Sequence, residues 1–259
     1  MFDFVFSLPL MILLVGIAFL SGVGITTVGP GGIFVTVALY SLTSISSGTV
    51  AGTAHATFIA TGLVGSTAYV HSGEMKTAEA RVIMPILSLS SIIGAPIGAY
   101  VNSFIPRTTF GLLLGVTTMA TGITILYHEQ RGLSPLYQLD VMRREGQVVL
   151  GVLGFALGIT SGLLGVGGPV IAVPALILIG VPMLLSLAVA QVQSIFIAAF
   201  ATTGYLFQGN VSLLLAAVVG PPLLAGVVFG WKVAHLVNPA KLKVALGIVL
   251  IAVGPYLAL

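Results

Sequence analysis

The residues in this sequence best placed to bind something are glycines. Gly29-Pro30-Gly31-Gly32 and Gly165-Val166-Gly167-Gly168-Pro169 each interrupt an apolar run. They stand 136 positions apart, so Gly29, Gly31 and Gly32 fall on Gly165, Gly167 and Gly168. Glycine has no side chain and reaches backbone angles that other residues avoid. A cluster of it therefore exposes backbone N–H groups where the next helical segment starts, and that helix end carries partial positive charge and suits an anion. Pro30 and Pro169 fit the first turn of such a segment. No Lys or Arg lies well inside an apolar stretch, apart from Arg81 near a helix start. An anion bound here would depend on backbone and hydroxyl donors. Thr26 and Thr27 precede the first cluster and Ser161 precedes the second. Each could supply a hydroxyl, although residues of this kind more often bond their own helix backbone.

His55 is the one histidine well inside an apolar span. Its partner at the 136 offset is Gln191, and Thr57 pairs with Gln193. Polar side chains at membrane depth are costly and point to a functional site, and a histidine there could carry a proton with a substrate. The competing role for His55, Gln191 and Gln193 is inter-helix hydrogen bonding. The glycine clusters have a competing role too, as close-packing points between helices, which is the expected role of Gly22, Gly62, Gly94 and Gly98. A dinucleotide fingerprint fails, because neither cluster has the G-x-G-x-x-G spacing or a βαβ setting. His71, His128 and His235 have no metal-ligand spacing, and no metal site or cofactor is expected. A membrane hydrolase would need a nucleophile and base. Ser161-Gly162 follows Thr160, with no Gly-x-Ser-Gly around it, so no enzyme activity is expected.

The elements that hold these residues follow from composition. The 259 residues are 58% hydrophobic and 6% charged, with a mean hydropathy of +1.19. Soluble domains carry about 25% charged residues, so this is an all-α integral membrane protein. With no cysteine, disulfides and thiolate metal sites are excluded. The net charge of +3 speaks to membrane orientation and not to nucleic acid. A spanning helix needs roughly 20 apolar residues. Spans are predicted at 8–28, 48–70, 78–100, 109–127, 147–164, 184–207, 213–233 and 244–259. Short apolar pieces follow each glycine cluster, at 33–43 and 170–179. The first span has no basic residues before it, so it reads as a retained span, not a cleaved signal. Polar residues concentrate between His128 and Gly146, which reads as a linker. The predicted organisation is residues 1–127 as a first repeat, 128–146 as a cytoplasmic linker and 147–259 as a second repeat.

Other pairs share the 136 offset: Gly22 with Gly158, Tyr69 with Tyr205, Pro85 with Pro221, Gly94 with Gly230, and Val101-Asn102 with Val237-Asn238. Each half thus reads as a Gly-broken helical hairpin followed by three spanning helices. Lys and Arg tend to stay on the cytoplasmic side. In the first half they gather around Gly73, with Lys76 and Arg81, whereas the twin loop around Gly209 has none. In the second half they gather around Asn238, with Lys232, Lys241 and Lys243, against Arg107 alone near Asn102. Equivalent loops then lie on opposite faces. The repeats are predicted to be inverted, with both termini outside. Broken helices at matching positions of two inverted halves are a sequence pointer to a transporter site near the midplane.

With these two motifs, and with Pro174 completing G-x-G-G-x-x-x-x-x-P in the second half, the chain resembles the TauE/SafE sulfite exporter family, also called the TSUP permeases. The first half departs from the pattern in having Pro30 inside its cluster and Ala38 where the second half has Pro174. The resemblance implies secondary transport of a sulfur-containing anion, such as sulfite, sulfoacetate or another organosulfonate, across a bacterial or archaeal plasma membrane. Proton coupling through His55 and alternating access between the halves are the expected mechanism. A passive anion channel with the same glycine site is the alternative. A homodimer is the candidate assembly.

Overall fold

The computed structural model describes residues 7–72, 74–131, 138–234 and 239–258. Gly73, His235, Asn238 and residues 132–137 of the linker lie outside them. Ten α-helices and no strand occur among the described residues: α1 (Leu8–Thr27), α2 (Ile33–Leu42), α3 (Ser47–Ser72), α4 (Ala78–Asn102), α5 (Arg107–Arg131), α6 (Arg144–Leu164), α7 (Gly168–Leu178), α8 (Met183–Phe207), α9 (Leu213–Ala234) and α10 (Pro239–Ala258). One turn of 3-10 helix, Pro30–Gly32, joins α1 to α2.

Six of these helices are long and apolar enough to cross a membrane: α1, α4, α5 over Arg107–Tyr127, α6, α8, and α9 over Leu213–Gly230. Their outward faces carry Ile12, Leu20, Leu89, Ile93, Val152, Phe207 and Phe229, whereas Thr53, His55, Asn102, Gln191 and Gln193 are buried. An apolar exterior around a polar interior suits a hydrocarbon solvent. This is a multi-pass membrane protein. α3 has the length to span, but Thr53, His55, Thr57 and Thr61 all point inward from it.

The short helices α2 and α7 have 10 and 11 residues, about 15 and 16 Å of rise, half of a hydrocarbon core of about 30 Å. Basic residues at the 136 offset sit by their C-terminal ends. Arg107 donates to the carbonyls of Tyr40, Thr43 and Ile45 and lies 4.5 Å over the Tyr40 ring. Lys243 Nζ lies 3.2 Å from Met183 Sδ, beside Ile177 and Leu178. A cation there compensates the negative end of the helix dipole. Both residues that the sequence offers as orientation signals thus also have local partners.

Helix pairing exchanges under a shift of five helices. α1 packs on α9 and α6 on α4, while α3 packs on α8 and α5 on α10. Glycine contacts give the directions. Gly22 lies against Leu223 and Val227, and Gly230 against Val23 and Thr26, so α1 and α9 run parallel. Gly154 meets Leu87, and Gly98 meets Ile159 and Leu163, so α6 and α4 also run parallel. In contrast, Gly52 lies by Tyr205 and Gly65 by Gln191, which makes α3 and α8 antiparallel. Gly111 by Leu257 and Gly254 by Gly115 and Met119 do the same for α5 and α10.

The polar linker is shorter than its composition suggests. α5 runs on to Arg131, α6 already begins at Arg144, and Leu139 N donates to Ile179 O at 3.0 Å. Gln, Glu and Arg are good helix formers, so polarity alone does not mark a helix end.

Candidate functional site

The two glycine breaks meet. Gly29 and Gly32 from the first, and Gly167 and Pro169 from the second, border one small cavity with Ile25, Phe58, Thr61, Val170, Gln191 and Ser194. One glycine in each break requires a left-handed backbone. Gly29 has φ 105° and Gly165 has φ 68°, so the strained positions themselves obey the 136 offset. At Gly165, α6 ends, α7 restarts at Gly168, and Pro169 sits in its first turn.

The N-terminus of α7 faces this cavity. The Gly168 N–H donates to Ser194 Oγ at 3.2 Å, and that hydroxyl keeps a proton to donate. Gln191 Nε2 lies 3.4 Å from Ile25 O, leaving its second N–H. Thr61 Oγ1 donates to Phe58 O at 3.1 Å. The free volume is about 10 Å³, roughly the room one water needs. The structure is therefore closed around the site, with no room for anything larger than a water.

Of the predicted residues, Gly29, Gly32, Gly167 and Gln191 border the cavity, and Gly168 contributes its N–H. Gly31 packs against Gly24 and Ile25 where the chain turns back on α1, and Gly165 packs against Ala51. The remaining side chains are bonded elsewhere. Thr26 Oγ1 donates to Val227 O at 3.0 Å and Thr27 Oγ1 to Val23 O at 2.8 Å. Ser161 Oγ donates to Val166 O. Gln193 Nε2 donates to Ser91 Oγ at 2.7 Å, on the face toward α4. His55 is buried against Phe58 and Tyr205, with Nε2 3.0 Å from Ser161 O. A carbonyl only accepts, so Nε2 carries the proton, and Nδ1 has no partner among the described residues.

Ser194, Phe58 and Thr61 are absent from the sequence-based set. Helical spacing could have found them. Residues three apart share a helix face and residues two apart do not, so Gln191 shares its face with Ser194 and not with Gln193, and His55 shares one with Phe58.

A second, larger space of about 530 Å³ lies between α1, α2 and α10 and is lined almost wholly by apolar side chains, with Thr27, Ser41 and Tyr256 at its polar edges. It offers an anion no donors comparable with those of the smaller cavity.

Long apolar helices, a polar interior and two helix breaks facing one buried cavity define a multi-pass membrane protein of transporter type. The comparisons specify which. The family model described as "Sulfite exporter TauE/SafE" matches residues 9–257, and the chain belongs to that family of membrane transporters. It is similar to the probable membrane transporter protein YdhB of Bacillus subtilis (strain 168), 25% identical over 242 residues that cover 90% of this chain and 94% of the relative. It is also similar to the probable membrane transporter protein YunE of the same organism, 26% identical over 219 residues and 78% of each chain. The probable membrane transporter protein ORF9 of a Sinorhizobium species is 33% identical over 108 residues, 42% of this chain and 41% of that one. No solved structure gives a significant match.

Proposed function

We propose that this protein is a secondary transporter for a small sulfur-containing anion, sulfite or an organosulfonate, coupled to protons and working by alternating access between inverted repeats. The observation that carries the reading is the shared cavity, where the Ser194 hydroxyl, itself accepting from the Gly168 N–H, and the second N–H of Gln191 offer neutral donors beside Gly167, and no carboxylate lines the space. Donors of this kind, at a helix N-terminus, favour an anion without holding it irreversibly. The sulfur in the proposal comes from the family's printed description, not from the geometry. The buried Nδ1 of His55 supports the proton, since it is an acceptor at membrane depth with no partner among the described residues.

The antiparallel packing of α3 on α8 and of α5 on α10 supports inversion. Two copies of one element that share a direction cannot lie antiparallel. The apolar space by α2 supports the rocking motion. α7 packs against α5, but its counterpart α2 leaves about 530 Å³ between itself and α10.

The deciding experiment is uptake of radiolabelled sulfite into proteoliposomes, with sulfate and chloride for comparison, with and without an imposed pH gradient. Saturable sulfite flux that follows the gradient is the expected result. Flux indifferent to the gradient and strictly passive would favour the channel. Flux of another anion alone would remove sulfur from the proposal.

Topology has its own test. Cysteine at Gly209, an exposed turn position, is expected to react with an impermeant maleimide added outside intact cells. Cysteine at Lys76, also exposed, is expected to react only after the membrane is opened. Equal labelling from one side would overturn the inverted arrangement.

A further inference from the structure

The offset that relates the two breaks also relates two hydrogen bonds that cross between the halves. His55 Nε2, on α3, donates to Ser161 O in the last turn of α6 at 3.0 Å. Gln191 Nε2, on α8, approaches Ile25 O in the last turn of α1 at 3.4 Å. His55 and Gln191 are 136 positions apart, and so are Ile25 and Ser161. Both side chains are buried, at 0% and 1% exposure. The last carbonyls of a helix are its least satisfied. Ser161 O already accepts from the Gly165 N–H at 2.9 Å, so His55 gives it a second donor, and in both pairs the added donor comes from the opposite half.

The surroundings fit this role. Tyr205, stacked beside His55, donates to Gly162 O at 2.8 Å, the next carbonyl along. Asn102 Nδ2 donates to Leu163 O at 2.7 Å. On the other side Gly65 leaves room for the Gln191 amide, since an added Cβ would come within 3.1 Å of its Oε1. A single N–H is the chemistry common to imidazole and amide.

We propose that His55 and Gln191 are positioning residues that tie the two breaks into one unit, each holding the end of the broken helix in the other half. The second break then follows α3 and the first follows α8. A shift of α3 against α8 moves both walls of the cavity together, so neither opens alone.

The test is hydrogen–deuterium exchange on the full chain in nanodiscs, which reads the clamp whether or not any anion is transported. His55→Ala should raise exchange in residues 161–168 by about three- to tenfold, the loss expected for one net hydrogen bond, and leave 25–32 unchanged. Gln191→Ala should do the reverse. His55→Gln should return exchange in 161–168 to wild-type values. No change in 161–168 for His55→Ala, a change confined to its own half, or a His55→Gln profile like that of alanine would each overturn the proposal. The flux arm rests on the transport reading. There His55→Gln should recover the flux down an imposed anion gradient that His55→Ala loses, while losing the response to a pH gradient, and a glutamine variant as slow as alanine under the anion gradient would overturn positioning. Absence of any flux in the wild type would strike the transport reading alone.

Discussion

Gly167→Leu is expected to abolish anion flux while the protein still inserts, folds and purifies as a single species. The residue has φ −61° and ψ 151°, angles open to any side chain, so no backbone strain accompanies the change. An added Cβ meets nothing nearer than 3.8 Å, its neighbours being Pro169, Ser194 Oγ and Phe58. The first carbon therefore fits, and the rest of leucine has only the cavity of about 10 Å³ to enter. It would cover the Ser194 hydroxyl, a donor the proposed anion needs. Gly167→Ala separates occupancy from folding. It should keep wild-type thermal stability to within about 0.5 kcal/mol, as for substitutions that disturb no packing, and still reduce flux several-fold. Wild-type flux in Gly167→Leu would show that nothing passes between the breaks. Gly168→Leu is the less clean probe, because a Cβ there already lies 2.9 Å from Ala190 O.

Some of this site is legible in the sequence and some is not, for reasons that differ by residue. Glycine and proline have few structural uses, so their recurrence is informative. Gly29 and Gly165 recur 136 positions apart and both prove to have positive φ. Apolar runs of spanning length fix themselves by the cost of exposing backbone to lipid, and the predicted spans match the helices to within two residues, apart from the ends at Arg131, Arg144 and Pro239. Faces are harder to read. On α8, Gln193 looks equivalent to Gln191 in a list of polar residues, but it points at Ser91 on α4 and leaves Ser194 to share the cavity.

Cross-half partners are harder still. Nothing local links His55 to Ser161, 106 residues away. Both His55 and Gln191 read in the sequence as candidates either for chemistry or for helix bonding, and the structure shows the bonded carbonyl of each. The sequence also leaves the hydroxyls of Thr26 and Thr27 undecided between the site and their own helix. α-Helical carbonyls within reach take both protons, a competition that residue type alone does not reveal.

Gly165→Ala should act on stability where Gly167→Leu acts on flux. Two costs coincide at Gly165. A left-handed backbone costs a residue with a Cβ about 1–2 kcal/mol. The new methyl would also lie 2.8 Å from Ala51 Cβ and against the Ala51 backbone, where α3 crosses the break. Crowding of this kind typically adds about 1–3 kcal/mol, and the backbone of α3 has no rotamer with which to yield. The expected outcome is a fall in the thermal unfolding midpoint of the detergent-solubilised protein on the order of 10 °C, using about 2–4 °C per kcal/mol for a chain of this size. Gly29→Ala, the offset partner, carries the same conformational cost, but its nearest obstacle is Leu187 Cδ2, the far end of a flexible side chain. It should therefore destabilise less than Gly165→Ala. An equal loss at both positions would mean that backbone conformation alone governs the breaks. A neutral Gly165→Ala would mean that α3 does not pack against the second break as described, and the clamp between His55 and Ser161 would lose its geometric basis.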